Sequence, residues 1–210
     1  MFAALRIRML YRNLFPKSEI LLRIFSIVLT VTCCYSFAFS QQIDITVKRL
    51  NIERALLSSL SGETVTQIDS FNSSGNGRFL FSLDREKNHL GFYRLSFDNK
   101  KWIDFMHDNE DVTIITDADD ILDSLQVISS VSNQLYYSFQ KLNTQYKTKS
   151  ELLQLILARY PKDDPYYTTT QTTLSKLQSE YSTFVSNTSQ VKPSSFVARY
   201  IRSARLPIVD

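Results

Sequence analysis

The spacing of apolar side chains changes at Ser130, and this change restricts the fold more than any other feature of the chain. Before Ser130, short runs alternate between apolar and polar residues, as half-buried strands require, and all four glycines lie there. After it there is no glycine, and apolar residues recur every three or four positions, which is the period of a helix. The sequence therefore predicts an α+β fold. An antiparallel β-sandwich-like or curved-sheet domain is expected over residues 41–128, followed by an amphipathic helical region over residues 129–210.

Six short segments before Ser130 are candidate strands. They cover residues 43–47, 64–68, 78–83, 92–97, 102–106 and 112–116. A connector at residues 69–77, which ends in Gly75, Asn76 and Gly77, separates the second segment from the third. Because glycine and asparagine tolerate the positive φ angles of tight turns, the connector predicts a hairpin between these two strands.

The helical region begins with an amphipathic helix that has Ser130 or Ser132 as a candidate N-cap. Its apolar stripe consists of Val131, Leu135, Phe139, Leu142 and Tyr146. A separate short apolar helix is expected at residues 151–160, where Pro161 ends it. A longer helix is expected from near Tyr166, with an apolar face made by Leu174, Leu177, Tyr181 and Phe184.

A final helix is predicted to open at residues 193–195 and to run to about Arg205, just before Pro207. It carries a compact apolar stripe, made of Phe196, Val197, Tyr200 and Ile201. Such a stripe must fold back on the sheet, pair with another copy of the chain, or remain exposed. Self-association through the helical region is therefore one expectation for a partner.

The N-terminal segment has the pattern of an export signal. Residues 24–40 carry no charge and follow five basic residues, and Ala-Phe-Ser at residues 38–40 is a small-residue cleavage site. We therefore expect a signal peptide over residues 1–40 and a mature protein that begins at Gln41 in an extracytoplasmic compartment, the periplasm. A retained membrane anchor is the alternative, and it is the only expectation that brings membrane contact. Acylation of Cys33 and a start at Met9 also remain open.

Removal of the signal changes both the thiol content and the charge. Cys33 and Cys34 are the only cysteines, so the mature protein would contain no thiol. The full chain has 24 basic and 21 acidic residues, and loss of five basic residues and Glu19 leaves a net charge near −1. A nucleic-acid binder needs basic residues to neutralise phosphates, so nucleic acid is not an expected partner.

No catalytic residue, cofactor or metal site is predicted. His89 and His107 lack zinc-ligand spacing, and no Gly-x-Ser-x-Gly motif marks a serine nucleophile. Four acidic residues could offer oxygen ligands to calcium but lack the glycine and the final glutamate of an EF-hand, so a solvated loop is expected there. These four are Asp117, Asp119, Asp120 and Asp123. The glycines at residues 75 and 77 precede no helix that would receive a phosphate, so they indicate only a turn.

Basic residues gather near the end of the chain, and three of them are compatible with one helix face. The group comprises Lys192, Arg199, Arg202 and Arg205. An acidic partner or lipid headgroups would explain this charge, and so would the favourable position of cations at a helix C-terminus.

The order of short motifs in the first half resembles a domain of unknown function from exported Bacteroidetes proteins. The motifs are Gln-Ile-Asp-Ser at 67–70, Gly-Arg-Phe-Leu-Phe at 77–81, Gly-Phe-Tyr-Arg-Leu at 91–95, Trp-Ile-Asp-Phe-Met at 102–106, Asp-Val-Thr-Ile at 111–114 and Ser-Val-Ser-Asn at 130–133. The resemblance covers residues 43–146. Members usually carry a thioredoxin-like domain of the TlpA or ResA type after the helices. This chain has no Cys-x-x-Cys, and without a thiolate there is no nucleophile for disulfide exchange.

The resemblance implies a non-catalytic accessory or interaction module of the bacterial cell envelope, with an envelope protein or a second copy as its partner. Aromatic residues offer it a binding surface, among them Tyr136, Tyr137, Tyr166 and Tyr167. The alternative is a truncated fragment of a thioredoxin-like thiol-disulfide oxidoreductase that lacks its Cys-x-x-Cys domain.

Overall fold

The structure, a computed structural model, describes residues 40–84, 87–98 and 100–207. They belong to one compact unit, Ser40–Asp210. The predicted signal segment, including Cys33 and Cys34, lies outside the described residues except for Ser40.

Eight strands are formed by the described residues before Ser130. They are β1 (Ser40–Lys48), β2 (Arg54–Ser61), β3 (Thr64–Asn72), β4 (Arg78–Asp84), β5 (Gly91–Ser96), β6 (Trp102–His107), β7 (Val112–Asp117) and β8 (Gln126–Ser129). One sheet has the order β4-β1-β7-β8 and the other has the order β3-β2-β5-β6. Neighbouring strands are antiparallel except β1 and β7, which run parallel with Ile45 opposite Ile114.

The two sheets enclose the larger apolar core. In β1 the side chains of Ile43, Ile45 and Val47 are fully buried, while the intervening residues are more accessible. Aromatic rings from the two sheets meet between them, with 6.4 Å between the ring centres of Phe81 in β4 and Phe105 in β6. This arrangement confirms the α+β class and its sandwich-like β-part.

The predicted hairpin at residues 69–77 is wrong. β3 pairs with β2, which the sequence analysis did not identify, through a two-residue turn in which Gly62 has a φ of +59°. β4 pairs with β1 in the other sheet, so residues 73–77 cross between the sheets. The tight turn with glycine at its first position closes β2 onto β3, and β4 then pairs elsewhere.

Three helices follow in the described residues: α1 (Val131–Arg159), α2 (Pro165–Val191) and α3 (Phe196–Ala204). Ser130 is the N-cap of α1, because its Oγ accepts a hydrogen bond of 3.1 Å from the backbone N–H of Asn133. The prediction of a separate helix at residues 151–160 is wrong. Residues 147–150 contain neither glycine nor proline, so α1 continues through them and ends before Pro161.

A second apolar core joins the helices to the outer face of the second sheet. Its buried members are Met106, Phe139, Tyr146, Tyr181, Val185, Val197 and Ile201. Phe92 of β5 contacts rings of both α1 and α3, with ring centres 5.1 Å from Tyr136 and 4.8 Å from Tyr200. The stripe of the final helix therefore folds back on the sheet and on the other helices. Within the described residues, no helix is long and apolar enough to cross a bilayer.

Candidate functional site

The two histidines occupy different environments. His107 is fully buried at the end of β6, with its ring 5.7 Å from that of Tyr93. His89 is exposed in the connection before β5, where its carbonyl accepts a hydrogen bond of 2.8 Å from the Tyr93 hydroxyl. In the part of the chain that the structure describes, no three His, Cys, Asp or Glu side chains are grouped so that they could hold a metal ion.

The acidic run after β7 forms a turn. Asp117 accepts a hydrogen bond of 3.0 Å from Arg49 Nε and another of 3.0 Å from the backbone N–H of Asp119. Both bonds lower the pKa of the Asp117 carboxyl. The bond from the Asp119 backbone has the larger effect, and the bond from Arg49 has the next largest. Asp120 in turn accepts a bond from the backbone N–H of Asp123. These carboxylates therefore shape the turn through local hydrogen bonds and one ion-pair network with Arg49.

A buried polar cluster lies where the β6–β7 connection meets two helix ends. Asp108 is 6% exposed, and its carboxylate accepts bonds from the backbone N–H groups of Phe196 and Val197 at 3.0 and 3.2 Å. It also accepts a bond of 2.8 Å from the hydroxyl of Ser132. Asp108 thus satisfies free N–H groups of α3 while it contacts the first turn of α1, and negative charge is stabilising at helix N-termini.

Glu110 completes this cluster. Its carboxylate accepts a bond of 3.1 Å from the backbone N–H of Ser132 and forms an ion pair with Lys192, the residue that follows α2. Burial raises the pKa of Glu110, but the bonds from Lys192 and from Ser132 and Ser130 outweigh it, so the net pKa is lowered. The carboxylate is therefore held in its charged form between two helices.

The polar cluster also contains the hydroxyl of Ser132 and the side-chain amide of Asn133. The Ser132 hydroxyl lies between two carboxylates and is within hydrogen-bonding distance of both, at 2.8 Å from Asp108 and 3.1 Å from Glu110. Asn133 uses its side chain on both backbone groups of Met106, at 2.8 and 2.9 Å. Every one of these contacts fixes a helix or a strand edge. This cluster was not predicted from the sequence, because an acidic stretch between two strands has the pattern of an ordinary turn.

The four basic residues near the chain end are separated by the fold. Lys192 pairs with Glu110, and Arg199 lies over the ring of Phe196 at 5.8 Å. Arg202 and Arg205 instead line a groove between α2 and the end of α3.

The four tyrosines singled out in the sequence do not form one surface. Tyr136 and Tyr137 pack at the start of α1. Burial has the largest effect on the pKa of each hydroxyl and raises it. Tyr166 and Tyr167 lie at the start of α2, beyond the far end of α1. A helix rises about 1.5 Å per residue, so roughly 30 Å of α1 separate the two pairs.

The far end of the α1–α2 pair exposes an apolar surface. We call residues 151–169 the distal hairpin; it contains the last turns of α1, the connection and the first turn of α2. None of its residues is buried, although residues 152–157 include four leucines and an isoleucine. Its most exposed large side chains are Leu152 (58%), Leu155 (48%), Tyr166 (49%) and Tyr160 (42%).

The distal hairpin has a defined geometry despite this exposure. Asp164 caps α2 by accepting a bond of 2.8 Å from the backbone N–H of Tyr166, and Pro165 occupies the first turn. The rings of Tyr160 and Tyr166 meet edge to face at 5.1 Å across the connection. Leu152 and Leu155 are three residues apart on α1, so they lie on one side of the helix. The hairpin therefore presents an ordered apolar surface.

Comparisons with known proteins identify no relative: no family model, no curated protein and no solved structure matches the chain.

Proposed function

We propose that the protein is a non-catalytic, extracytoplasmic accessory or interaction module of the bacterial cell envelope, and that it associates with a second copy through the distal hairpin. The observation that carries the proposal is the ordered apolar surface of residues 151–169, where Leu152, Leu155, Tyr160 and Tyr166 are 42–58% exposed. Monomeric soluble proteins rarely expose contiguous apolar patches larger than a few hundred Å², and larger patches commonly mark interaction sites.

A second copy fits this surface because its charges have both signs. The apolar side chains are flanked by exposed Glu151 and Asp163 and by exposed Lys149, Arg159 and Lys162. A two-fold interface places the same patch on both subunits, so the patch must be complementary to itself. Acidic residues of one hairpin can then face basic residues of the other while the leucines meet. Two helical hairpins joined in this way make a four-helix bundle, a common packing of amphipathic helices.

The use of the polar cluster supports a non-catalytic role. Asp108 is buried and Glu110 is partly buried, and catalytic carboxylates often occupy such positions. Their oxygens are nevertheless taken by backbone N–H groups of α1 and α3, by Ser132 and by Lys192. They therefore act as structural acceptors.

An envelope location is supported by the export signal and by the resemblance of residues 43–146 to exported Bacteroidetes proteins. Cleavage after Ser40 would leave Gln41, a fully buried residue of β1, as the first residue, so the predicted cleavage point coincides with the start of the sandwich. The intact mass of protein recovered from the envelope should correspond to a chain that begins at Gln41. A species that still contains Arg23 would favour a membrane anchor.

Self-association is tested with the variant Leu152→Ser/Leu155→Ser. Sedimentation velocity of the wild-type protein, over concentrations from micromolar to millimolar, should show a monomer–dimer equilibrium that the variant loses. Leu122→Ser is the matched control, since Leu122 is 76% exposed in the turn after β7 and lies far along the chain from the hairpin. It should dimerise like the wild type, and both variants should melt within about 3 °C of it, because exposed substitutions usually change stability little.

A wild-type protein that stays monomeric over the whole series would refute the second copy as the occupant. The exposed leucines would then have to serve a different envelope protein. Equal loss of dimer in Leu122→Ser would place the contact outside the distal hairpin.

A further inference from the structure

The groove between α2 and the end of α3 combines space, hydroxyl groups and positive charge. Its volume is about 600 Å³, which is within the range of small-molecule sites. Ser182, Ser186 and Ser189 line it from one face of α2, and Arg202 and Arg205 line it from the opposite side. Apolar side chains complete the lining, including Val185 and Leu206.

The two arginines have unused hydrogen-bonding capacity. Residues 165–207 contain a single acidic residue, Glu180, which lies 3.9 Å from Lys176. Within the described residues, neither Arg202 nor Arg205 forms an ion pair, and Arg202 makes one hydrogen bond of 3.2 Å, to the carbonyl of Pro193. A guanidinium group has five N–H donors.

The groove is held in shape by Tyr181. Its hydroxyl donates to Asn143 Oδ1 at 2.7 Å and accepts from the backbone N–H of Leu206 at 2.9 Å. The first bond fixes the ring to α1, and the second fixes the segment that carries Arg205. The Pro193 carbonyl restrains Arg202 in the same way. Such preorganisation lowers the entropy cost of binding.

Favourable charge at the C-terminal end of α3 would explain an arginine at position 202 by itself. It does not explain why a second arginine faces the same groove beyond the helix, opposite three serine hydroxyls. An oxyanion with an attached apolar group would use all of these features. Arginine pairs with carboxylate or phosphate through two parallel hydrogen bonds, and Val185 and Leu206 contact the apolar part. The hydroxyls of Ser182 and Ser186 donate further bonds, whereas the Ser189 hydroxyl donates to the Ser186 carbonyl at 3.0 Å.

We infer that this groove binds a small ligand that carries a carboxylate or phosphate group on a short apolar body. Arg202 and Arg205 hold the oxyanion, and the serine face of α2 orients it. The inference does not depend on the distal hairpin, which is formed by different residues of α1 and α2.

Isothermal titration calorimetry of the full chain would use hexanoate, hexyl phosphate and hexanol as probes. Hexanoate and hexyl phosphate distinguish the two oxyanions, and at least one of them should bind saturably, whereas uncharged hexanol should not. The variant Arg202→Gln/Arg205→Gln should weaken binding about tenfold or more, because charge-assisted hydrogen bonds are roughly twice as strong as neutral ones.

Arg199→Gln is the matched control, because Arg199 lies on the same helix but contacts Phe196 and the Ser194 carbonyl instead of the groove. It should bind the probe within about threefold of the wild type, since only distant screened charge is removed. An equal loss in Arg199→Gln, binding of hexanol comparable to that of hexanoate, or no saturable binding of either anion would overturn the inference. Thermal melting of each variant verifies that it is folded.

Discussion

Single residues fix the points where this chain passes from one element to the next. Asp108 and Glu110 tie the β6–β7 connection to α1, α3 and the end of α2, and Ser130 caps α1 with a φ of +103°. Ser130 and Ser132 were both candidate caps because hydroxyl residues stand at the start of the helical pattern, and Ser130 is the one that caps the helix. The roles of Asp108 and Glu110 were not predicted, because a sequence pattern does not show which distant N–H groups a turn will contact.

Gly77 is required by a close approach between backbones. A Cβ there would lie 2.1 Å from the carbonyl oxygen of Val47, and its φ is +70°. We expect Gly77→Ala to lower the free energy of unfolding by about 3 kcal/mol or more, because the backbone must move to relieve the overlap. Urea denaturation measures this loss.

Gly62→Ala is the control for backbone conformation alone. Gly62 has a similar φ of +59°, but an added Cβ would meet no atom within 4 Å. Its cost should be about 1 kcal/mol. Equal losses in the two variants would mean that the contact with Val47 contributes nothing.

Glu110 should make stability depend on pH. Its pKa in the folded protein is lowered from 4.5, so its charged form stabilises the fold above that value, and this stabilisation is lost as the pH falls through the folded pKa. Glu110→Gln should therefore be less stable than the wild type at pH 7, and the difference should shrink below about pH 4.5. Thermal melts of both proteins from pH 3 to pH 7 provide the measurement. A difference that is constant over this range would contradict the assignment.

At the scale of elements, the sequence predicts those with a clear period and misses those that depend on neighbours. β2 contains no β-branched or aromatic residue, and its leucines and alanine favour helix. It is a strand because it lies between β3 and β5, where Ala55 and Leu57 become buried. β8 has only four residues, too few for alternation to be detected. The parallel pairing of β1 with β7 also leaves no local pattern, because alternation does not identify a partner strand.

The continuity of α1 can be tested at Lys149, which is exposed in the middle of the helix. Lys149→Pro should lower the free energy of unfolding by about 3 kcal/mol or more, since proline removes a backbone hydrogen bond and clashes with the preceding turn. Lys149→Ala, with no backbone effect, should change it by less than about 0.5 kcal/mol. If proline were tolerated as well as alanine, two helices with a break before Glu151 would describe the segment better. Chemical denaturation followed by circular dichroism distinguishes the two results.

At the scale of the molecule, the two apolar cores are connected through the second sheet. β5 sends Tyr93 and Leu95 into the sandwich and Phe92 to the helices, and β6 sends Phe105 inward and Met106 outward. The polar cluster joins the same regions through Asp108 and Glu110. The change of period at Ser130 predicts a β-layer and a helical layer. It does not show that β5 and β6 contribute side chains to both apolar cores. The sequence alone left open whether the final helix is covered, because its cover depends on long-range contacts.

Because of this connection, we expect the sandwich and the helices to unfold in a single transition. Ile45 and Ile201 are both fully buried, the first between the sheets and the second among the helices. Ile45→Ala and Ile201→Ala should each lower the free energy of unfolding by about 2–5 kcal/mol, the usual cost of such a truncation in a core. Each should shift the whole melting curve, with the same midpoint by far-ultraviolet circular dichroism and by Trp102 fluorescence. Ser203→Ala, at an exposed position of α3, is the control and should leave the midpoint nearly unchanged. If Ile201→Ala instead produced an early helical transition while the Trp102 signal kept its wild-type midpoint, the helices would unfold independently, and the contacts of Phe92, Met106 and Asp108 would be too weak to couple the two cores.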